Sequence, residues 1–243
     1  MLAFLASFIV FLRTQMASRS IYVKVLALMP INVVFPYVFL MQGFVHAYSP
    51  ADIAVILGWG FLYNALVDVY VLTDEAVRSG KLDLLAVAPS SRGGWLAGMH
   101  AAVFLVYLPA IALSWAALAM IVGIVLPLAV VVWFFVVIIP TAELLAQGVF
   151  VICVLNSRAF NLVTFSLDGL QVLSCIIYPL TALPLALRPV SAVLPTYLMG
   201  SVLREPSLGS LLRLIVSLVA VGLLFAVALR AGTRRARGGA VHG

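Results

Sequence analysis

Three carboxyl side chains stand inside long apolar runs of this sequence: Asp68, Glu143 and Asp168. A charge at mid-bilayer depth costs about 2.5–3.5 kcal/mol on insertion scales, so a carboxyl there is paired, protonated or functional. Asp68 and Asp168 fall in the inner halves of their runs at similar depths, with Asn64, Asn161 and Gln171 close by in sequence. Two uses fit these residue types. One is the polar lining of a substrate pathway. The other is structural, the groups bonding one another, Arg158 or water. Taken instead as proton or cation sites, the three carboxyls fit an ion-coupled secondary transporter. Glu143 follows Pro140 by three residues, either to satisfy backbone freed by a kink or to stand protonated. Other chemistry is unmarked. The only lysines, Lys24 and Lys81, precede Val25 and Leu82, which rules out a G-x-x-x-x-G-K-[ST] phosphate loop. His46, His100 and His242 are scattered, and neither an H-E-x-x-H zinc pair nor a G-x-S-x-G elbow is present. The chain reads as a non-enzyme with no cofactor of its own.

The elements that carry these groups follow from composition. Of 243 residues, 65% are hydrophobic and 9% charged, where a soluble domain carries about a quarter charged. Apolar runs of about 20 residues cross a ~30 Å hydrocarbon core as helices. The runs are continuous rather than alternating, which excludes a barrel and predicts an all-α integral membrane protein. The net charge of +6 is distributed between and beyond the runs, the pattern of topology determinants rather than of a nucleic-acid surface. Cys153 and Cys175 lie within apolar runs and read as small hydrophobes. The first twelve residues lack a positive leader segment, which predicts no cleaved signal peptide.

Six spans are expected, over residues 25–45, 53–73, 100–122, 126–154, 160–183 and 211–230. No Asp, Glu, Lys or Arg occurs between Arg92 and Glu143, and Gly123 with Pro127 marks a tight turn between the third and fourth spans. Residues 184–203 are apolar, but Pro179, Pro184, Pro189 and Pro195 recur through the region. Each proline removes a donor and clashes with the preceding turn. The expectation there is a set of short broken helices, a re-entrant outer segment over 179–205. With both termini cytoplasmic, eleven of the fourteen Lys/Arg lie inside; a seventh span would put the arginine tail, 231–243, outside. The apolar stretch Met1–Leu12 is too short to cross, and residues 1–20 are expected as an interfacial helix, Arg13 and Arg19 towards headgroups, or else as a frayed extension of the first span. The whole chain, 1–243, reads as one membrane domain. Phe35, Tyr37, Phe39 and Phe44 in the first span fit packing, an interfacial belt or, for Phe35 and Phe39, a lining for apolar substrate.

The charge is concentrated in one place. Five of the ten residues from Asp74 to Asp83 are charged, within a cytoplasmic loop expected over 74–98. Leu82, Leu85 and Pro89 recur at helix-like spacing, ringed by Glu75, Arg78, Lys81 and Asp83, while Gly80 can end the second span. Periodicity alone fits a short amphipathic helix or a solvated loop equally.

Here the sequence resembles a family. Gly80, Leu82, Asp83, Leu85 and Pro89 follow the G-x-L-[DE]-x-L-L-x-x-P spacing of the cytoplasmic loop in ABC exporter permeases of the type-2 membrane family, with Ala86 in place of the second leucine. The run SCIIYPLTALP, residues 174–184, is similar to that family's S-G-x-x-[FY]-P signature at the outer end of its fifth span. Ser174, Tyr178, Pro179, Leu180, Leu183 and Pro184 match, and Cys175 replaces glycine. PTYLMGSVLR, residues 195–204, resembles the segment leading to the sixth span, with Leu194 where asparagine is common. The resemblance implies a permease subunit in a bacterial cytoplasmic membrane. It would pair with a second permease subunit, the same or different, and with two copies of a separate ATPase that holds the ATP and Mg. It also implies residue roles. Glu75, Arg78, Gly80, Lys81, Leu82, Asp83, Leu85 and Pro89 would form the ATPase-coupling surface. Asn64, Asp68, Asn161, Asp168 and Gln171 are the pathway candidates. Tyr178, Pro179, Leu183 and Pro184 would form an outer gate. The exported substrate would be amphipathic or hydrophobic, a drug, a lipid or a polysaccharide.

Overall fold

The computed structural model describes residues 2–17, 22–23, 26, 49–80, 92–123, 125, 127–155, 160–176 and 178–239. Its helices are α1 (Leu2–Ala17), α2 (Pro50–Arg78), α3 (Arg92–Val122), α4 (Leu128–Leu155), α5 (Phe160–Leu173), α6 (Arg188–Val193), α7 (Pro195–Arg204) and α8 (Leu208–Gly239), with a 3₁₀ turn at Leu180–Ala182. No strand occurs among the described residues. Four of these helices, α2, α3, α4 and α8, are long and apolar enough to cross a membrane. The chain is an all-α, multi-pass membrane protein. The expected first span, residues 25–45, lies outside the described residues.

Helix ends depart from the apolar runs for local reasons. Ser49 caps α2: its Oγ accepts from the Asp52 N–H at 3.2 Å, Asp52 reaches back to the Ser49 N–H, and Pro50 takes the first position. This reciprocal capping satisfies two otherwise unpaired donors. At the other end α2 runs through Arg78 rather than stopping at residue 73, because the Asp74–Arg78 ion pair at 2.9 Å continues the helical register. Gly80, with φ of +68°, then breaks the chain direction as expected. α3 begins at Arg92, not at residue 100. Helix therefore continues into the expected 74–98 segment from both ends. Gly123 (φ +71°) ends α3 with its N–H on the Ala119 carbonyl, and α4 begins just past Pro127, so the tight turn stands where glycine and proline put it. α8 extends to Gly239, beyond the expected residue 230.

The fifth span is shorter than expected. α5 has 14 residues, about 21 Å at 1.5 Å per residue, and stops at Leu173 rather than near 183. The cause is Cys175, whose left-handed φ of +51° no helix can contain. The short helices α6 and α7 and the 3₁₀ turn follow, matching the broken segment that the prolines predict.

α2 is the hub and packs against α3, α4, α5 and α7. Ala54, Leu62, Ala65 and Leu66 are wholly buried in it. At Gly58 a Cβ would lie 2.2 Å from Ile138 Cδ1, so α2 and α4 cross closely there and a larger residue would have to turn the Ile138 side chain aside. Gly148 serves α4 in the same way against the Phe225 ring of α8. α3 runs antiparallel to α4, since His100 meets Glu143 while Trp115 meets Phe134 further along. α8 has most of its surface outside the bundle, with Leu223, Leu224 and Val227 exposed.

α1 forms over the expected N-terminal segment. It docks antiparallel on the start of α3, Ser7 and Phe4 against Gly98 and Phe11 against Trp95. Its outer side carries Leu5, Ile9 and Val10, all exposed. From Leu2 to Leu12 the sole polar side chain is Ser7, and it is buried. Arg13 is exposed nearer the C-terminal end of α1, and Arg19 is outside the described residues.

Candidate functional site

The polar groups of the bundle are sorted by which face of α2 and α3 they stand on. On α3, His100, Tyr107 and Ser114 recur every seven residues, and each is at most 1% exposed. Seven residues make nearly two helical turns, so the three lie along one face, turned into the bundle. Tyr107 donates its hydroxyl to Asp68 Oδ2 at 2.5 Å and reaches the Asn64 carbonyl at 3.5 Å. Asn64 itself donates to the Gly60 carbonyl one turn back. Ser114 bonds the Ala110 carbonyl of its own helix.

Asp168 has a different neighbour, Tyr63 on α2. Tyr63 and Asp68 are five residues apart, about 140° around a helix of 100° per residue. The two aspartates are thus separated by α2: Asp68 faces the buried α2–α3 seam and Asp168 an open side of α5. The expectation that these groups bond one another is corrected for this pair, and the expected partner Arg158 lies outside the described residues. Asn161 is exposed at the start of α5 and Gln171 is half-buried near its end. The described candidates therefore divide between the α2–α3 seam, where Asn64 and Asp68 are half-buried, and α5, where Asn161 and Asp168 are exposed and Gln171 is half-buried. Phe35 and Phe39 lie outside the described residues.

Glu143 pairs with His100, whose Nδ1 lies 3.1 and 3.0 Å from Oε1 and Oε2. Gln147 Nε2 stands 3.4 Å from Oε1 one turn on. The His100 side chain is wholly buried, while a third of the Glu143 side chain is exposed. Sequence reasoning treated His100 as scattered. Its seven-residue spacing to Tyr107 and Ser114, inside a charge-free run, was the signal that marked it.

At the end of the bundle where α2 begins, side chains stitch the broken segment to the helices. Arg204 donates from Nε to Asp52 Oδ1 at 2.8 Å and from Nη2 to the Ile176 carbonyl at 3.0 Å. Ser174 bonds Thr196, Ser191 bonds the Leu173 carbonyl, and Ser217 reaches the Val193 carbonyl at 2.6 Å. Arg188 holds the Leu183 carbonyl at 2.9 Å. Irregular backbone beside a membrane needs such partners, because water is scarce there. Of the expected gate residues, Leu183 is buried, Tyr178 half-buried with its hydroxyl on the Val172 carbonyl, and Pro179 and Pro184 are exposed. Both Cys153 and Cys175 are buried and unbridged.

At the opposite end, Glu75 and Arg78 are exposed on the last turn of α2, Arg78 paired with Asp74, and Gly80 forms the break. Lys81, Leu82, Asp83, Leu85 and Pro89 lie outside the described residues. Among the described residues no cluster of His, Cys, Asp and Glu has the makings of a metal site. No protein-family model matches the chain, and no curated protein matches it.

Proposed function

We propose that this chain is the membrane-spanning permease subunit of an ATP-driven exporter of the ABC type-2 kind, carrying an amphipathic or hydrophobic substrate outward across a bacterial cytoplasmic membrane. The observation that carries the reading is Cys175. In the resembled signature this position is glycine, and here its backbone has a φ of +51°, a conformation that glycine adopts freely and other residues rarely. The backbone at Cys175 thus has the shape the signature's glycine would supply. The short helices after it, bound back to α2 through Arg204, suit an outer closure.

In this reading two permease subunits pair, and each docks a separate ATPase that binds ATP and Mg. The 74–89 segment takes the push of ATPase closure. Glu75, Arg78, Lys81 and Asp83 supply charged contacts, and Leu82 and Leu85 the apolar anchor. α2 runs into this segment and α3 follows it, and α2 packs on α3, α4, α5 and α7. A displacement at its end is therefore transmitted to the bundle as a rigid-body shift between two packings. Six spans and cytoplasmic termini belong to the same proposal.

Two experiments test it. Purification of the full chain from its native membrane should bring a separate ATPase with it. The charge reversal Lys81→Glu with Asp83→Lys should leave the chain inserted but uncouple ATP hydrolysis from transport; normal transport in that variant refutes the coupling role.

A second reading, an ion-coupled transporter, is favoured by one observation: the His100–Glu143 pair between two spans. Transport that survives ATP depletion but stops when the proton gradient collapses would select it over the first.

A further inference from the structure

The His100–Glu143 pair has three features that point to a ligand. First, the Nδ1 atom lies within hydrogen-bond distance of both carboxylate oxygens, so a proton there is held in common. Second, the other ring nitrogen, Nε2, is buried with no hydrogen-bond partner. All exchange with Glu143 must therefore pass through Nδ1. Third, a third of the Glu143 side chain is exposed, on the side of α4 that also exposes Val136, Ile139 and Gln147. That side faces away from the bundle at the depth of the apolar spans. Glu143 lies about 15 Å, and His100 about 9 Å, from the ends of their spans at Cys153 and Gly94. A bare carboxylate facing hydrocarbon is disfavoured, whereas a pair of zero net charge is tolerated.

We propose that His100 and Glu143 form a proton-binding site within the membrane, holding one proton per chain at pH 7 so that the pair carries no net charge. The proton comes from water. Whether it rests on the imidazole or on the carboxyl, the sum of charges is zero and no other group changes. Other titratable groups around the site are engaged or remote. On α2, Asp68 is bonded by Tyr107, two turns along α3, and Tyr63 neighbours Asp168. On α7, Arg204 is bonded to Asp52, and on α8 Arg213 and Arg230 stand at least two turns from Gly222, which faces Leu144. On α4, Cys153 is nearly three turns away. α1 turns Ser7, not Arg13, towards α3. His100 is the sole ion-pair partner of Glu143 among the described residues. The site joins α3 to α4, so losing its proton leaves an anion that packing alone does not satisfy, and the two spans must loosen to admit water. The proposal rests on neither transport reading.

The chain suits a direct test, because it has only three glutamates, Glu75, Glu143 and Glu205, and three histidines, His46, His100 and His242. The full chain, labelled with ¹⁵N-histidine and side-chain ¹³C-glutamate, is reconstituted in phosphatidylcholine nanodiscs. Signals of the pair are assigned by elimination, using substitutions at the other four sites. At pH 7 the expected spectrum shows either an imidazolium at His100 or a carboxylic acid at Glu143. Proton uptake measured on refolding from acid-free denaturant should fall by one per chain in Glu143→Gln. A neutral His100 beside an ionised Glu143 in the wild type at pH 7 overturns the proposal. That spectrum decides the matter even if Glu143→Gln fails to fold.

Discussion

Arg204 and Asp52, 152 residues apart in sequence, meet at 2.8 Å, and the same guanidinium donates to the Ile176 carbonyl at 3.0 Å. One side chain thus ties the start of α2, the end of α7 and the turn after α5. The two side chains are 32% and 31% exposed, so solvent screens the charge component. A double-mutant cycle of Arg204→Gln and Asp52→Asn, read by unfolding in mild detergent, should give a coupling of about 0.5–1 kcal/mol. Arg204→Gln alone should cost more than the coupling, since it also strips the Ile176 carbonyl of its donor. A cost of Arg204→Gln no larger than the coupling would show that the Ile176 bond contributes nothing.

The Tyr107–Asp68 bond lies in the α2–α3 seam, where Tyr107 is fully buried and Asp68 half-buried. Tyr107→Phe keeps the ring against Phe61 and removes only the hydroxyl. It should destabilise the bundle by about 1 kcal/mol, the net worth of one hydrogen bond. Adding Asp68→Asn should recover part of that loss, because a neutral amide is cheaper to bury than a carboxylate. If Asp68 instead lines an open water pathway, Tyr107→Phe should leave thermal stability unchanged and alter transport alone.

The long apolar runs announced α2, α3, α4 and α8, and Gly123 with Pro127 announced the turn between α3 and α4. Helix ends were harder to read, because charge does not terminate a helix. Asp74 and Arg78 extend α2 into the polar region by pairing with each other. The end of α5 was hidden in a residue that gives no warning: cysteine neither breaks helices as proline does nor favours a left-handed turn as glycine does. Partner choice was the least legible. The reach of Asp68 to Tyr107, and of Glu143 to His100, depends on the relative rotation of packed helices, which a single strand of sequence does not encode locally. Only the seven-residue recurrence of polar side chains along α3 hinted that one of its faces meets polar partners.

Gly98 sets how closely α1 approaches α3. A Cβ there would fall 2.0 Å from Ser7 Oγ and 2.5 Å from the Phe4 carbonyl oxygen. The first obstacle is a side chain that can turn aside; the second is backbone and cannot. Gly98→Val should therefore undock α1 at a cost of about 1–3 kcal/mol, the usual range for overpacking. A short bis-maleimide cross-link between Phe11→Cys and Trp95→Cys, whose rings now stand 5.4 Å apart at their centres, reports the docked state. It should form readily in the parent and poorly with Gly98→Val. Ser7→Gly should restore cross-linking only in part, because the Phe4 backbone still clashes.

Cys175 gives the sharpest test of how α5 ends. Its φ of +51° costs a non-glycine residue roughly 1–2 kcal/mol. Its side chain is buried, with Sγ 3.5 Å from Ser191 Oγ. Cys175→Gly relieves the backbone but gives up that small packed group, so the two effects should nearly cancel and leave the melting temperature close to the parent's. Cys175→Val has no such compensation. A β-branched side chain is least tolerant of the left-handed region and replaces the Ser191 contact with a methyl. It should lower stability by more than 1 kcal/mol, at the order of magnitude of such strain, and expose the α5–α6 connection to protease. If valine is accepted as well as glycine, the chain at 175 is not held left-handed, and the likeness of residues 174–184 to a glycine-bearing signature loses its structural support.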